Sequence, residues 1–372
     1  MRGGQPCAAE IDELADLAVQ PSCPQADIPV MAHDPEELEA LLAAARQPVG
    51  RCPLPRAELR VRLATSPWLR RLIPRAGAVA RAEGKGAQAW ERDPQERARA
   101  LLAMDAIVAG TPRARETEAL AREHLVEGVV KEALYWRPWR VERPDASSEE
   151  CFRQALLSGR GVILSASHSG PYNMGVSAVG PWRPVVYSAS GWAMTEPEFG
   201  YWGRRIAHRR SQARARGERL LHSVGSFDAI LRLLEEGQAV SVFFGLPGSR
   251  ATHFLGKPVM MTAGSARLAT AADALILPIR TRRDAHRVHV DASTPLDPRE
   301  HADMDRLHEA LAAVHEDWIL EFPAALEDPN RPGAWEGGAT AQSWRRPDSK
   351  HERPSPAEPR AASKKVGATS RR

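Results

Sequence analysis

The chain has 372 residues, 43% hydrophobic and 26% charged, with a formal net charge of +4. That is enough for one large domain with additions, or two domains, around a sizeable core, and the mildly basic balance does not argue for nucleic acid. No apolar run approaches the ~20 residues of a membrane-spanning helix, and acidic residues Glu10, Asp12, Glu13 and Asp16 stand where a secretory signal needs an apolar stretch.

The four cysteines, Cys7, Cys23, Cys52 and Cys151, form no C-x-x-C pair. This spacing offers neither a metal site nor a disulfide scaffold, and a reducing compartment fits it best. The expected location is cytoplasmic, or peripheral on the cytosolic face of a membrane.

Residues 1–30 lack apolar periodicity and read as disordered. Residues 31–140 read as a helical N-terminal region. Asp34-Pro35 opens its first helix, with Leu38, Leu41 and Leu42 as the apolar stripe. A second candidate covers 56–75, interrupted near Ser66-Pro67. It mixes Leu59, Leu63, Trp68, Leu69 and Leu72 with Arg60, Arg62, Arg70 and Arg71. That composition suits either an interfacial membrane helix or an ordinary helix with a solvated arginine face. Asp93-Pro94 starts a helix to about Val108, and Thr111-Pro112 starts a longer one to about Tyr135.

From about 141 to 330 strands and helices alternate. The expected strands are 162–166, 184–188, 239–244, 275–280 and 287–291. The expected helices are 196–208, 226–236, 263–272 and 304–321. Alternation of this kind predicts an α/β fold with a mixed, largely parallel central sheet flanked by helices. Residues 331–372, rich in Pro, Ser, Ala, Lys and Arg, read as a disordered basic tail.

Several motifs are missing. There is no G-x-S-x-G nucleophile elbow, no P-loop around Gly256-Lys257, and no G-x-G-x-x-G after a strand. His308-Glu309 begins like a zincin motif, but Ala312 holds the second histidine position. Neither a metal nor a bound cofactor is expected.

Three segments carry candidate chemistry. In the first, Gly161-Val162-Ile163-Leu164-Ser165-Ala166-Ser167-His168-Ser169-Gly170, a buried strand lifts an imidazole to its carboxyl end. Open α/β sheets place ligands there, and an imidazole can take a proton from a hydroxyl near neutral pH. The small residues Ser169 and Gly170 favour close approach of a ligand. The plainer alternative is a histidine that caps a strand-to-helix turn. In the second, Phe243-Phe244-Gly245-Leu246-Pro247-Gly248-Ser249-Arg250, a strand leaves into a Pro/Gly turn. There Gly248, Ser249 and Arg250 could hold a phosphate or carboxylate, or simply form a loop. In the third, His253 to Ala269, an apolar loop enters a helix whose first turn holds Gly264 and Ser265. Phe254, Leu255, Met260 and Met261 there suit an acyl-chain channel or ordinary core.

Taken in order, these segments resemble the lysophospholipid acyltransferase superfamily. The nearer likeness is to its branch of lipid A lauroyl and phosphatidylinositol mannoside acyltransferases. The resemblance covers residues 95–325 and includes the Gly159-Arg160-Gly161-Val162-Ile163-Leu164 strand and His168. It continues through Phe254-Leu255-Gly256-Lys257-Pro258-Val259, Gly264-Ser265-Ala266-Arg267-Leu268-Ala269, Leu275–Arg280, and Trp318 before Pro323. It implies an O-acyltransferase that moves a fatty acyl group from acyl-CoA or acyl-carrier protein to a hydroxyl of a lysophospholipid or glycolipid at a membrane surface. His168 matches the general base of the family's H-x4-D/E motif.

The motif's acid falls on Asn173, and Gly245 stands where this branch often has a second acid. An amide can orient an imidazole but cannot balance its charge, and the analogous Asp-to-Asn change in serine proteases costs about 10⁴ in rate. Glu196 or Glu198 is a candidate substitute. The alternative is a catalytically impaired relative that binds lipid or acyl-carrier protein. A thioesterase using His168 to activate water is a third reading. Arg204, Arg205, Arg209, Arg210, Arg214, Arg216 and Arg219 form a basic run, read as headgroup or donor-phosphate contacts or as a solvated helix face. Without interleaved stacking aromatics it offers no RNA site.

Overall fold

A computed structural model describes residues 35–50, 54, 57–137, 141–179, 185–189, 200–222 and 226–327. The expected disorder of 1–30 and 331–372 falls on residues outside these, as do Glu196 and Glu198.

Six strands form one sheet: β1 (Val162–Ala166), β2 (Val185–Ala189), β3 (Arg219–His222), β4 (Ala239–Phe243), β7 (Leu275–Asp284) and β8 (Arg287–Ala292). Their order is β3-β2-β4-β1-β7-β8. All neighbours pair in parallel except β7 with β8. The fold expected from the alternation is therefore present. All five residues of β1 are buried, as a central parallel strand covered on both faces requires. Its side chains alternate between two cores: Ile163 joins Val240 and Ile276 on one face, and Val162 and Leu164 join Leu275 and Leu277 on the other.

The helices are α1 (Pro35–Ala45), α2 (Leu59–Ala64), α3 (Pro67–Arg71), α4 (Arg75–Arg92), α5 (Pro94–Val108), α6 (Thr117–Tyr135), α7 (Ala146–Leu156), α8 (Val176–Val179), α9 (Gly200–Ala215), α10 (Phe227–Glu235), α11 (Gly264–Ala272) and α12 (Met304–Glu321). The break expected at Ser66-Pro67 separates α2 from α3, with the Ser66 hydroxyl accepting from Leu69 N at 3.5 Å. Asp93 caps α5, accepting from the amides of Gln95 and Glu96 at 2.9 and 3.0 Å. The N-terminal helices are not a separate body. Leu42, Trp90, Met104, Ile107 and Leu120 share one core with Ile163 and Val240 of the sheet.

Three departures from the sequence reading have physical causes. Helix α4 carries little sequence signal because its buried stripe is Ala78, Ala82, Gly86 and Trp90, spaced four apart but mostly without large apolar side chains. Strand β3 begins at Arg219, the last arginine of the basic run, and lies at the sheet edge beside β2. The third concerns the turn at Gly248–Arg250 and the apolar loop after it. These form a two-stranded antiparallel hairpin, β5 (Pro247–Phe254) and β6 (Lys257–Met261). Its tip, Leu255-Gly256, has φ of 54° and 73°, the double left-handed geometry that closes a tight hairpin. A Cβ on Gly256 would sit 1.9 Å from the carbonyl oxygen of Gly110. Lys257 Nζ donates to Ala106 O at 3.0 Å, which fastens the hairpin to the end of α5. Phe254, Leu255 and Met261 are fully buried in the shared core.

Candidate active site

Strand β1 lies between β4 and β7, and His168 follows its last residue by two positions. The imidazole is half-buried and clamped by two aromatic rings. It stacks on Phe243 from the end of β4, centroids 4.2 Å apart and planes 20° apart. Tyr172 meets its edge at 4.9 Å, and Tyr172 and Phe243 touch at 5.4 Å. Register explains the stack: Ala166 pairs with Phe243, so both chains leave the sheet side by side.

The loop that carries His168 is pinned on two sides. Thr281 of β7 donates its hydroxyl to Ser169 O at 3.1 Å. On the other side the chain after α12 returns along the loop. Gly170 N donates to Ala325 O at 2.8 Å, Ser169 bridges Leu326, and Glu327 N donates to His168 O at 2.6 Å. Gly170 has φ of 61°, and a Cβ there would fall 2.4 Å from Thr281 O. Its amide and its missing side chain both serve this closure.

This return brings a carboxylate to the imidazole. Glu327 pairs with Lys131 of α6 at 3.0 Å, with side-chain exposures of 18% and 24%. Burial acts to raise the Glu327 pKa. Lys131, a hydrogen bond from Tyr172, the His168 imidazole and Arg205 outweigh it, and the carboxyl lies below its usual range. Its Oε2 is buried with no hydrogen-bond partner among the described residues. Lys131 also lies over the Tyr172 ring at 5.9 Å. A cleft beside these groups is lined by His124, Lys131, Gly170, Pro171, Arg283 and Leu326. His124 is held by Ala324 O at 2.9 Å, and burial pushes its pKa down. Arg283 is taken up by Glu127 and Glu83.

The other expected positions lie as follows. Asn173 belongs to a short 3-10 turn, Tyr172–Met174, and its side chain is outside the described residues. Gly245 has φ of 85°, a left-handed backbone that disfavours a carboxylate side chain there. Gly248, Ser249 and Arg250 lie at the start of β5. A Cβ on Gly248 would come 2.5 Å from Thr262 N, so that glycine permits close backbone approach. Arg250 pairs with Asp305 at the start of α12. Gly264 is the first residue of α11 and has open space around it.

The basic run is not a solvated face throughout. Arg204, Arg205 and Arg209 are buried. Arg204 donates to Thr65 at 2.6 Å, Arg205 pairs with Glu132 and lies 3.9 Å over the Tyr135 ring, and Arg209 pairs with Glu218 at 3.0 Å. Arg214 alone of these first five is exposed, with Arg210 half-buried.

Residues 129–325, from the middle of α6 to the turn after α12, match the bacterial lipid A biosynthesis acyltransferase family. The chain belongs to this family. Its members' reaction is the transfer of an acyl group to a lipid acceptor. A comparison with curated proteins finds no match. Glu327 lies two positions past the matched stretch and outside the site residues expected from the sequence. Nothing local marks it; only its tertiary position beside His168 does. Among the described residues of this acyltransferase no group of three His, Cys, Asp or Glu side chains could hold a metal ion. No described helix is long and apolar enough to cross a membrane.

Proposed function

We propose that this acyltransferase moves a fatty acyl group from an acyl thioester, acyl-CoA or acyl-carrier protein, to a hydroxyl of a lysophospholipid or glycolipid, with His168 as general base. The observation that carries the reading is the half-buried imidazole at the carboxyl end of the central strand, gripped by Phe243 and Tyr172. The imidazole takes the hydroxyl proton while the oxygen attacks the thioester carbonyl. The tetrahedral adduct then expels the thiolate, and the imidazolium returns the proton to that sulfur. No covalent enzyme intermediate is required.

The acceptor is an amphiphile, and α2 and α3 offer a surface for reaching it. Leu59, Leu63, Trp68 and Leu72 are 68%, 52%, 75% and 79% exposed. Arginines 60, 62, 70 and 71 alternate with them. Exposed Leu and Trp interspersed with arginine suit the boundary of an anionic bilayer. On this reading the protein is peripheral, on the cytosolic face.

Purified protein with radiolabelled acyl-CoA and mixed lysolipids tests the reaction. Wild type is expected to transfer label, and His168→Ala to lose at least about 10²-fold. Equal rates for the two refute His168 as base. Asn173 at the motif's acid position favours one other reading, a relative that binds lipid or acyl-carrier protein without turnover. That reading predicts liposome or carrier binding and no labelled product.

A further inference from the structure

We propose that Glu327 is the positioning residue for His168, supplying from outside the H-x4-D/E motif the carboxylate that the motif position, Asn173, lacks. The inference rests on His168 acting as the base.

Three observations join this carboxylate to the imidazole. The Glu327 amide bonds the His168 carbonyl at 2.6 Å, and residues 325 and 326 pair with 170 and 169. Glu327 is thus fixed to the same loop as His168 by backbone contacts that do not depend on side-chain choice. Tyr172 touches both groups, meeting the imidazole edge at 4.9 Å and donating to the carboxylate. The third is charge. The imidazole is among the groups that stabilise ionised Glu327, and the effect is reciprocal: an ionised Glu327 stabilises imidazolium. Oε2 is buried and has no hydrogen-bond partner among the described residues, so it retains the lone pairs an imidazole N–H needs.

Other charges face this pair, and their signs matter. Lys131 of α6 bonds Glu327 directly, and Arg205 of α9 acts on it from further away. Both oppose imidazolium. Arg283 of β7 is neutralised by Glu127 and Glu83, and His124 is pushed toward its neutral form by burial. Glu327 is therefore the anion best placed to offset Lys131. A purely structural Lys131–Glu327 clasp would leave the imidazole's titration untouched, which separates the two roles.

Two readouts on the full-length chain decide the matter. Histidine ring C–H signals are followed by NMR against pH, His168 being assigned by its loss in His168→Ala. Glu327→Gln should lower the His168 pKa by about 1 unit, the low end of the roughly 1–3 units by which a neighbouring opposite charge shifts a titratable group. In acyl transfer, Glu327→Gln should lower kcat at least about tenfold with the donor KM little changed, and move the acid limb of the pH profile by the same amount. Adding Asn173→Asp should restore much of both, because it returns a carboxylate to the motif position. An unchanged His168 titration in Glu327→Gln overturns the proposal. If Glu327→Gln does not fold, Asn173→Asp in the otherwise unchanged chain decides: the rate should rise less than about twofold because Glu327 already supplies the carboxylate, and a gain of about tenfold overturns the proposal. Full activity in His168→Ala would instead refute the base assignment, while the titration would still report whether Glu327 and His168 are coupled.

Discussion

His315 on α12 makes acid instability of this fold a quantitative expectation. The ring is wholly buried, stacked on Phe244 at 4.4 Å and 10°, with Nε2 3.1 Å from the Ser165 hydroxyl. Nδ1 has no partner among the described residues. Burial alone pushes its pKa down from 6.5 to about 3. A base with a lowered folded-state pKa stays neutral in the native protein while the unfolded chain takes up a proton below its ordinary pKa. Stability therefore falls as pH drops through the window from 6.5 to about 3. The loss between pH 7 and pH 5 works out to about 2 kcal/mol from this residue, and to about 4 kcal/mol by pH 3. His208, buried and pushed down to about 4, acts in the same direction, so the wild-type curve alone is not diagnostic. His315→Phe isolates the contribution. It retains the aromatic stack but strands the buried Ser165 hydroxyl, which costs roughly 1–3 kcal/mol at every pH. Urea unfolding followed by circular dichroism at pH 7 and pH 5 gives the difference. The variant should lose about 2 kcal/mol less than wild type over that interval. Parallel losses would refute the claim that His315 is held neutral.

Other substitutions read out single contacts. Gly256→Ala combines a 1.9 Å clash with Gly110 O and a φ of 73°, so urea unfolding should show a loss of about 3 kcal/mol. Glu218→Gln leaves Arg209 and Arg216 without the carboxylate they share, both at 3.0 Å or less, and should cost about 3–5 kcal/mol at pH 7. Burial opposes ionisation of Glu218, but the two arginines hold its pKa below the usual range. Its stabilisation is therefore present above pH 4.5 and fades as pH falls through the lowered value, so wild type and variant should converge in strong acid. Asp93→Ala removes two cap hydrogen bonds and should lower thermal stability by about 1 kcal/mol.

The parts of this protein legible in the sequence are those set by local pattern. Val162–Ala166 reads as a strand because a central parallel strand must be apolar throughout, and it ends where expected. Met304–Glu321 reads as a helix with matching bounds, because Asp303 caps it and Leu307, Leu311 and Ile319 repeat at helical spacing. His168 stood out because it follows such a strand. The β5–β6 hairpin did not, because its turn places a leucine at φ of 54°, a conformation that leucine rarely adopts and that only the surrounding core enforces.

The burial of Arg204, Arg205 and Arg209 was equally invisible, since their partners Thr65, Glu132 and Glu218 are contributed in part by distant segments. By itself the sequence determined that a sheet would form and that an imidazole would stand at its carboxyl edge, because strand periodicity and turn chemistry act over a few residues. Only the tertiary structure decided which charges surround that imidazole. Glu327 reaches it from 159 positions along the chain, through a backbone pairing between segments that only the folded chain brings together.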